Sequence, residues 1–307
     1  MNTLPIFYSK PNIICIDDDI TVTNVLYDLL NKFYTVVKFN DPNDLLNYVI
    51  NYKSFFDNNK FLRSFTESEY ADRPNASLVE FDISKLVYSM DHIDLQKEIG
   101  VILIDYLMPD LDGISLCKKL KNYPFKKILF TGSEEYKIGI TAIRDGLIDG
   151  YIDKTETADN LLSKIFETSF NYYNQNTLSL KQNIEAENIL PLSDKLFVNY
   201  FMKLFNEYDV VQFCLYDKNG SILMVHSNGK KSILLVHTDR SLKQFVSFIN
   251  EDLEFQDIYN LIITKQKIPF IDSKCSLDNL NLDILKLYTP DLLIGREIYY
   301  VSYISIN

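Results

Sequence analysis

The stretch Val101-Ile-Leu-Ile-Asp105-Tyr-Leu-Met-Pro109-Asp-Leu-Asp-Gly113 limits the possible fold more than any other part of this chain. Four apolar residues, mostly β-branched, run into one carboxylate, and turn residues follow. A short apolar run bounded in this way reads as a buried strand of a parallel sheet, where both faces are covered. Asp105 then stands at the carboxyl end of the strand, where open α/β sheets bind their ligands. Pro109 stops the strand, and Gly113 permits the turn into the next helix.

The surrounding sequence repeats the pattern. Ile13-Ile-Cys-Ile runs into Asp17-Asp18-Asp19, a first buried strand ending in carboxylates. After it, Val22, Val25, Leu26, Leu29 and Leu30 recur at the period of a helix packed on a sheet. Thr35–Phe39 reads as a second strand, and Asp41-Pro42 as a cap with proline in the first helical turn. Residues 52–98 read as a helical insertion with a helix near Ser77–Met90, because a structureless loop of that length is unusual inside a compact domain. A helix over 114–120, a strand over Lys127–Thr131, a helix over Tyr136–Arg144, a short strand over Gly150–Lys154 and a longer helix over 157–184 follow. Alternating strands and helices make a doubly wound five-stranded parallel sheet.

Beyond Pro191 the texture changes. Three apolar runs, Val210–Tyr216, Ser221–His226 and Ser232–His237, are separated by Asp217-Lys-Asn-Gly220 and Asn228-Gly229. Asn-Gly between apolar runs is a strong hairpin signal, so the runs form an antiparallel meander. Helices near 194–205, 241–250 and 255–265 and a final strand over Glu297–Ile306 complete a smaller α+β domain. The expected division is residues 1–175, a helical connector over 176–190, and residues 191–307.

No apolar run approaches the roughly 20 residues needed to span a bilayer. The first residues lack the basic-then-apolar pattern of a signal peptide. Cys15, Cys117, Cys214 and Cys275 are scattered without CxxC spacing, which favours reduced thiols in a cytoplasmic protein. The net charge is −11. Residues 1–189 hold 19 Lys and Arg against 28 Asp and Glu, and residues 190–307 hold 12 against 14. Neither part has the positive excess of a duplex-binding module, so charge does not support DNA binding. His226 and His237 end neighbouring strands and His92 lies in the insertion; without a third ligand nearby they read as hydrogen-bonded structural histidines rather than a metal pair.

In a sheet ordered 2-1-3-4-5 the first and third strands are neighbours, which brings Asp17 and Asp18 beside Asp105. Thr131 ends the fourth strand and Lys154 the fifth. Gathered carboxylates repel unless a cation neutralises them, and magnesium suits a site of one or two carboxylates plus waters. Taken alone, Asp17-Asp18-Asp19 is equally well a helix N-cap with acidic neighbours. Lys154 alone is an ordinary surface lysine. The combination is what distinguishes the site.

Asp17-Asp18, Asp105 with Met108-Pro109 and Gly113, Thr131, and Lys154 resemble, in order and strand-end placement, the CheY-like receiver domain of two-component response regulators. The resemblance covers about residues 10–175. It implies that Asp105 accepts a phosphoryl group from a histidine kinase or phosphotransfer protein. It implies Mg2+ held by Asp18, Asp105 and the Leu107 backbone carbonyl, with Asp17 acting through water. Thr131 and Lys154 would bind the phosphoryl oxygens, and Tyr151 occupies the place of the switch aromatic that follows Thr131. A phosphorylation-favoured homodimer is the expected consequence, in a protein that is not itself an enzyme. The sequence departs from the family at Thr155, where a proline usually follows the lysine. The C-terminal half resembles uncharacterised output domains; a receiver-gated enzyme or small-molecule sensor, or a transcriptional regulator with an unrecognised DNA-binding surface, are the alternatives.

Overall fold

A computed structural model describes residues 2–56, 62–64, 79–90, 97–132, 136–177, 190–249, 255–271 and 284–306. The chain divides into two compact units and passes between them four times. One comprises residues 9–59 and 92–176, the other residues 1–8, 60–91 and 177–307.

The first unit is the expected parallel sheet. Its strands are β2 (Asn12–Ile16), β3 (Val36–Phe39), β6 (Ile99–Ile104), β7 (Lys126–Thr131) and β8 (Gly150–Asp153), in the order β3-β2-β6-β7-β8. Every neighbouring pair is parallel. The helices are α1 (Ile20–Leu30), α2 (Pro42–Val49), α4 (Gly113–Lys119), α5 (Tyr136–Arg144) and α6 (Ala158–Asn176). Strand alternation sorts the core into two layers. Ile14, Ile16, Ile102, Ile104 and Leu129 pack with Leu45, Val49, Leu116 and Ala142 of α2, α4 and α5. Ile13, Cys15, Val101, Leu103, Ile128 and Ile152 pack with Leu26, Leu30, Leu161 and Ile165 of α1 and α6. Three helices begin at aspartates whose side chains accept backbone N–H groups, Asp19 at α1, Asp41 at α2 and Asp112 at α4.

At the amino end of β6 a carboxylate is buried. Glu98 is 1% exposed. Its Oε1 accepts from Ser54 Oγ at 2.7 Å and its Oε2 from the Phe55 N–H at 2.8 Å. The Tyr172 hydroxyl of α6 also donates to Oε1, and its phenol is pushed to high pKa by burial and then by the Glu98 charge.

The second unit contains a six-stranded sheet in the order β1-β9-β10-β11-β15-β14. Its strands are β1 (Phe7–Ser9), β9 (Val210–Leu215), β10 (Ile222–His226), β11 (Lys231–Thr238), β14 (Asp291–Ile294) and β15 (Ile298–Ile306). The anticipated meander β9–β10–β11 is antiparallel throughout, and β15 pairs antiparallel with both β11 and β14. Helices α7 (Lys195–Glu207), α8 (Asp239–Ile249) and α9 (Gln256–Ile263) stand where amphipathic periodicity places them. Asp194 ties α7 to the β14–β15 turn. Its carboxylate caps Leu196 N at 2.9 Å and also accepts the Arg296 N–H and, at 3.0 Å, the Tyr299 hydroxyl. A further antiparallel pair joins β12 (Ile268–Phe270) to β13 (Lys286–Tyr288).

One expectation needs correction, and two further features differ from the anticipated layout. The insertion is not wholly helical: β4 (Leu62–Ser64) and β5 (Val79–Phe81) pair antiparallel, and the helix α3 (Ile83–Ser89) starts later than expected because Asp82 caps it. Residues 60–91 cluster with the second unit, and so do residues 1–8, so the division differs from a cut near residue 175. β1 was not anticipated, yet Phe7 and Tyr8 are fully buried and Leu215 N donates to Ile6 O at 2.8 Å. His92, Cys275 and most of the 176–190 connector lie outside the described residues.

Candidate functional site

The site lies at the carboxyl ends of β2, β6, β7 and β8. Asp17 directly follows β2 and is 1% exposed, and Asp105 directly follows β6 and is 4% exposed. Asp105 N donates to Ile16 O at 2.9 Å, which locks the two strand ends together. Lys154, directly after β8, reaches back across the sheet. Its Nζ is 2.7 Å from Asp17 Oδ2 and 2.7 Å from Asp105 Oδ1. Thr131 is the last residue of β7 and is buried, and its carbonyl accepts the Lys154 N–H at 2.9 Å.

Local chain geometry explains this gathering. Asp17 Oδ1 accepts the Asp19 N–H at 2.9 Å, which turns the chain into α1 and leaves Oδ2 toward Lys154. Asn40 was not anticipated as a site residue. Its amide donates to Asp17 O at 2.7 Å and to Thr23 Oγ1 at 3.0 Å, holding the β2–α1 turn. After Asp105, Leu107 is 63% exposed while Met108 returns to the core. Gly113 is required: a Cβ there would sit 2.3 Å from the Asp105 carbonyl oxygen.

Burial is the main cause raising the Asp105 carboxyl above the usual carboxylate range, and the Asp17 charge adds to it while Lys154 opposes. Burial pulls the Lys154 ammonium down, but hydrogen bonds to Asp105 and Asp17 outweigh this and raise it. The lysine therefore stays charged between two carboxylates. One oxygen from each of Asp17, Asp18 and Asp105 lies within 4.8 Å of the others, the one such cluster of potential metal ligands among the described residues. These are hard oxygen donors, two buried and one exposed, the ligand type that magnesium takes. The residues fit a divalent cation that keeps part of its water.

Tyr151 in β8 donates from its hydroxyl to Gly132 O at 3.1 Å, beside Thr131. Its ring lies against Gly139 of α5, where an added Cβ would come within 2.8 Å of ring carbon Cδ2. After Lys154 the loop is closed by Asp153, whose Oδ1 accepts both the N–H and the hydroxyl of Thr155, at 2.8 and 2.6 Å. No peptide bond among the described residues is cis.

In the second unit the two described histidines are structural. A carbonyl only accepts, so His226 Nδ1–H donates to Tyr208 O at 2.7 Å, and Nε2 faces Ser232 Oγ at 2.7 Å. His237 donates from Nε2 to Pro269 O at 2.8 Å, and burial lowers its pKa.

Comparison with known proteins bears on the fold that carries these residues. The family model "response regulator receiver domain" matches residues 82–166, which include Asp105, Thr131 and Lys154. The Legionella pneumophila response regulator LqsR is 21% identical and superposes with a TM-score of 0.74, covering 99% of this chain and 89% of that one. A response regulator receiver domain protein from Clostridium thermocellum is 19% identical with a TM-score of 0.35, covering 55% of this chain and 98% of that one. At 21% identity the likeness to LqsR is one of fold. The family match stops at residue 166 and assigns nothing to the C-terminal region. No helix among the described residues is long and apolar enough to cross a membrane. Residues 82–166 match the response regulator receiver domain family, and the parallel-sheet unit that contains most of them has the receiver fold.

Proposed function

We propose that this protein is a response regulator of a two-component phosphorelay, in which Asp105 receives a phosphoryl group from a histidine kinase or phosphotransfer protein. One observation carries the reading: Lys154 bridges Asp17 and Asp105 at 2.7 Å each, with an Asp18 oxygen in the same cluster. Asp105 Oδ forms the new O–P bond as the P–N bond of the donor phosphohistidine breaks, and the imidazole leaves with a proton. Lys154 follows the charge onto the phosphoryl oxygens, and the Thr131 hydroxyl donates to a second one, so charge developing in transfer meets fixed donors. Asp18, Asp105 and the Leu107 carbonyl would hold Mg2+, with Asp17 reaching it through water. When bound, the ion neutralises phosphoryl oxygens that would otherwise repel the carboxylates.

Moving Thr131 toward the phosphoryl group frees the space beside Tyr151, whose bond to Gly132 O ties it to the same loop. The switch is a shift between two populations rather than a new shape. The α5–β8–α6 face then favours a homodimer or releases the second unit. In this reading the protein acts in the cytoplasm and is a phosphoacceptor that catalyses transfer from its donor onto its own Asp105 and the later loss of the phosphoryl group, rather than an enzyme on another substrate.

Intact-mass measurement after incubation with acetyl phosphate tests this. Wild type gains one phosphoryl mass only when Mg2+ is present, and Asp105→Asn gains none. Labelling that persists in Asp105→Asn, or none in wild type, rejects the proposal.

A further inference from the structure

A lysine stem is long and flexible, and from a free backbone it reaches in many directions. Lys154 nevertheless meets Asp17 and Asp105 at 2.7 Å each. Its main chain is held on both sides. On the sheet side, Asp153 ends β8 opposite Thr131 of β7, and Lys154 N donates to Thr131 O at 2.9 Å. On the loop side, the chain turns over Asp153–Glu156, and Glu156 N donates to Asp153 O at 3.0 Å. The Asp153 carboxylate closes the same turn. Its Oδ1 accepts the Thr155 N–H at 2.8 Å and the Thr155 hydroxyl at 2.6 Å, so the two neighbours of Lys154 are tied to each other across it. These bonds, the hydroxyl's first, hold the Asp153 carboxyl below the usual carboxylate range. Glu156 pairs in turn with Lys164 of α6, which anchors the far end of the turn.

This link depends on what stands at position 155. Proline, the residue that usually follows the lysine in receivers, has neither an N–H nor a hydroxyl and could supply neither donor. We propose that Asp153 and Thr155 are positioning residues for phosphoryl transfer, whose side-chain turn aims Lys154 at Asp17 and Asp105. The proposal rests on Asp105 being the phosphoacceptor, but the aim of Lys154 is measurable without any phosphate. An ammonium already in place meets the developing charge with little reorganisation, whereas one swinging in solvent has to be recruited during the transfer.

Two measurements on the full chain test this. In the first, metal-free protein meets trace acetic anhydride, and acylation of Lys154 relative to exposed Lys119 is read by peptide mass mapping. Held between two carboxylates, wild-type Lys154 is protected. Asp153→Ala and Thr155→Pro raise its relative acylation by about fivefold, and Thr155→Val, which keeps the N–H, falls between them and wild type. Asp153→Asn and Thr155→Ser keep the acceptor and both donors and stay near wild type. In the second, the initial rate of acetyl phosphate labelling with saturating Mg2+ follows the same order, falling about tenfold in Asp153→Ala and recovering in Asp153→Asn. Protection unchanged in Asp153→Ala, or protection lost while labelling keeps its wild-type rate, overturns the positioning and leaves the phosphoacceptor reading intact. Wild type that takes no phosphoryl group overturns that reading and this proposal with it. If Thr155→Pro does not fold, as far-ultraviolet dichroism would show, the Asp153→Ala and Asp153→Asn pair decides.

Discussion

Removing the Glu98 carboxylate is the sharpest test of how the receiver unit is held together at the end opposite its site. Glu98→Ala leaves the Phe55 N–H, the Ser54 hydroxyl and the Tyr172 hydroxyl without their shared acceptor in a buried place. A buried donor left unpaired costs about 1–3 kcal/mol. Ser54 Oγ and Tyr172 OH are 3.3 Å apart and can turn toward each other, which offsets part of the loss. The net expectation is about 3–5 kcal/mol. Glu98→Gln behaves differently. Its carbonyl can face the Phe55 N–H while its amide donates to the two hydroxyls, which rotate to accept, so the cost falls to about 1 kcal/mol. Urea unfolding followed by far-ultraviolet dichroism reads both. With a slope of about 2 kcal/mol/M, the alanine variant lowers the midpoint of the receiver transition by roughly 1.5–2.5 M and the glutamine variant by roughly 0.5 M. Equal losses for the two variants, or an alanine shift below roughly 0.5 M, would refute the view that Glu98 is an obligatory common acceptor.

Three other expectations concern the site and the second unit. Burial raises the Asp105 pKa in the folded protein, so this carboxyl favours the fold in acid and its contribution is lost as pH rises through the raised value. Asp105→Asn therefore has a higher thermal midpoint than wild type at neutral pH, and the gain vanishes below the ordinary carboxylate range; a lower midpoint at neutral pH contradicts this. Gly139→Ala forces the Tyr151 ring to move and costs about 1–3 kcal/mol, measured in urea, whereas Tyr151→Phe costs about 1 kcal/mol by losing the bond to Gly132 O. Asp194→Ala removes a helix cap and the acceptor of two further donors, for a loss of about 2–4 kcal/mol, while Asp194→Asn keeps part of the set and loses less.

Much of the receiver unit was legible because β2, β6 and β7 are buried along their whole length and their apolar runs cannot be mistaken for surface. Asp17, Asp105 and Lys154 could be brought together on paper once the strand order was assumed, since each sits directly beyond a strand. What escaped had no periodic signal. β1, β4, β5, β12 and β13 are three residues long, too short for alternation to separate strand from turn. Glu98 resembles a surface glutamate in sequence; only the fold brings residues 54, 55 and 172 to it. Asn40 likewise acts through a loop that no spacing announces.

The strand Phe7–Ser9 carries a practical lesson. Because it and residues 60–91 belong with the C-terminal body, the two halves are not beads on a string. A single cut after the long helix would leave Phe7 and Tyr8 on the wrong fragment and strip β9 of its neighbour. Screening the C-terminal body in isolation calls for a fragment that carries the first eight residues and the 60–91 excursion along with it, whereas grafting the parallel-sheet unit elsewhere calls for one that omits residues 1–8 and bridges 60–91.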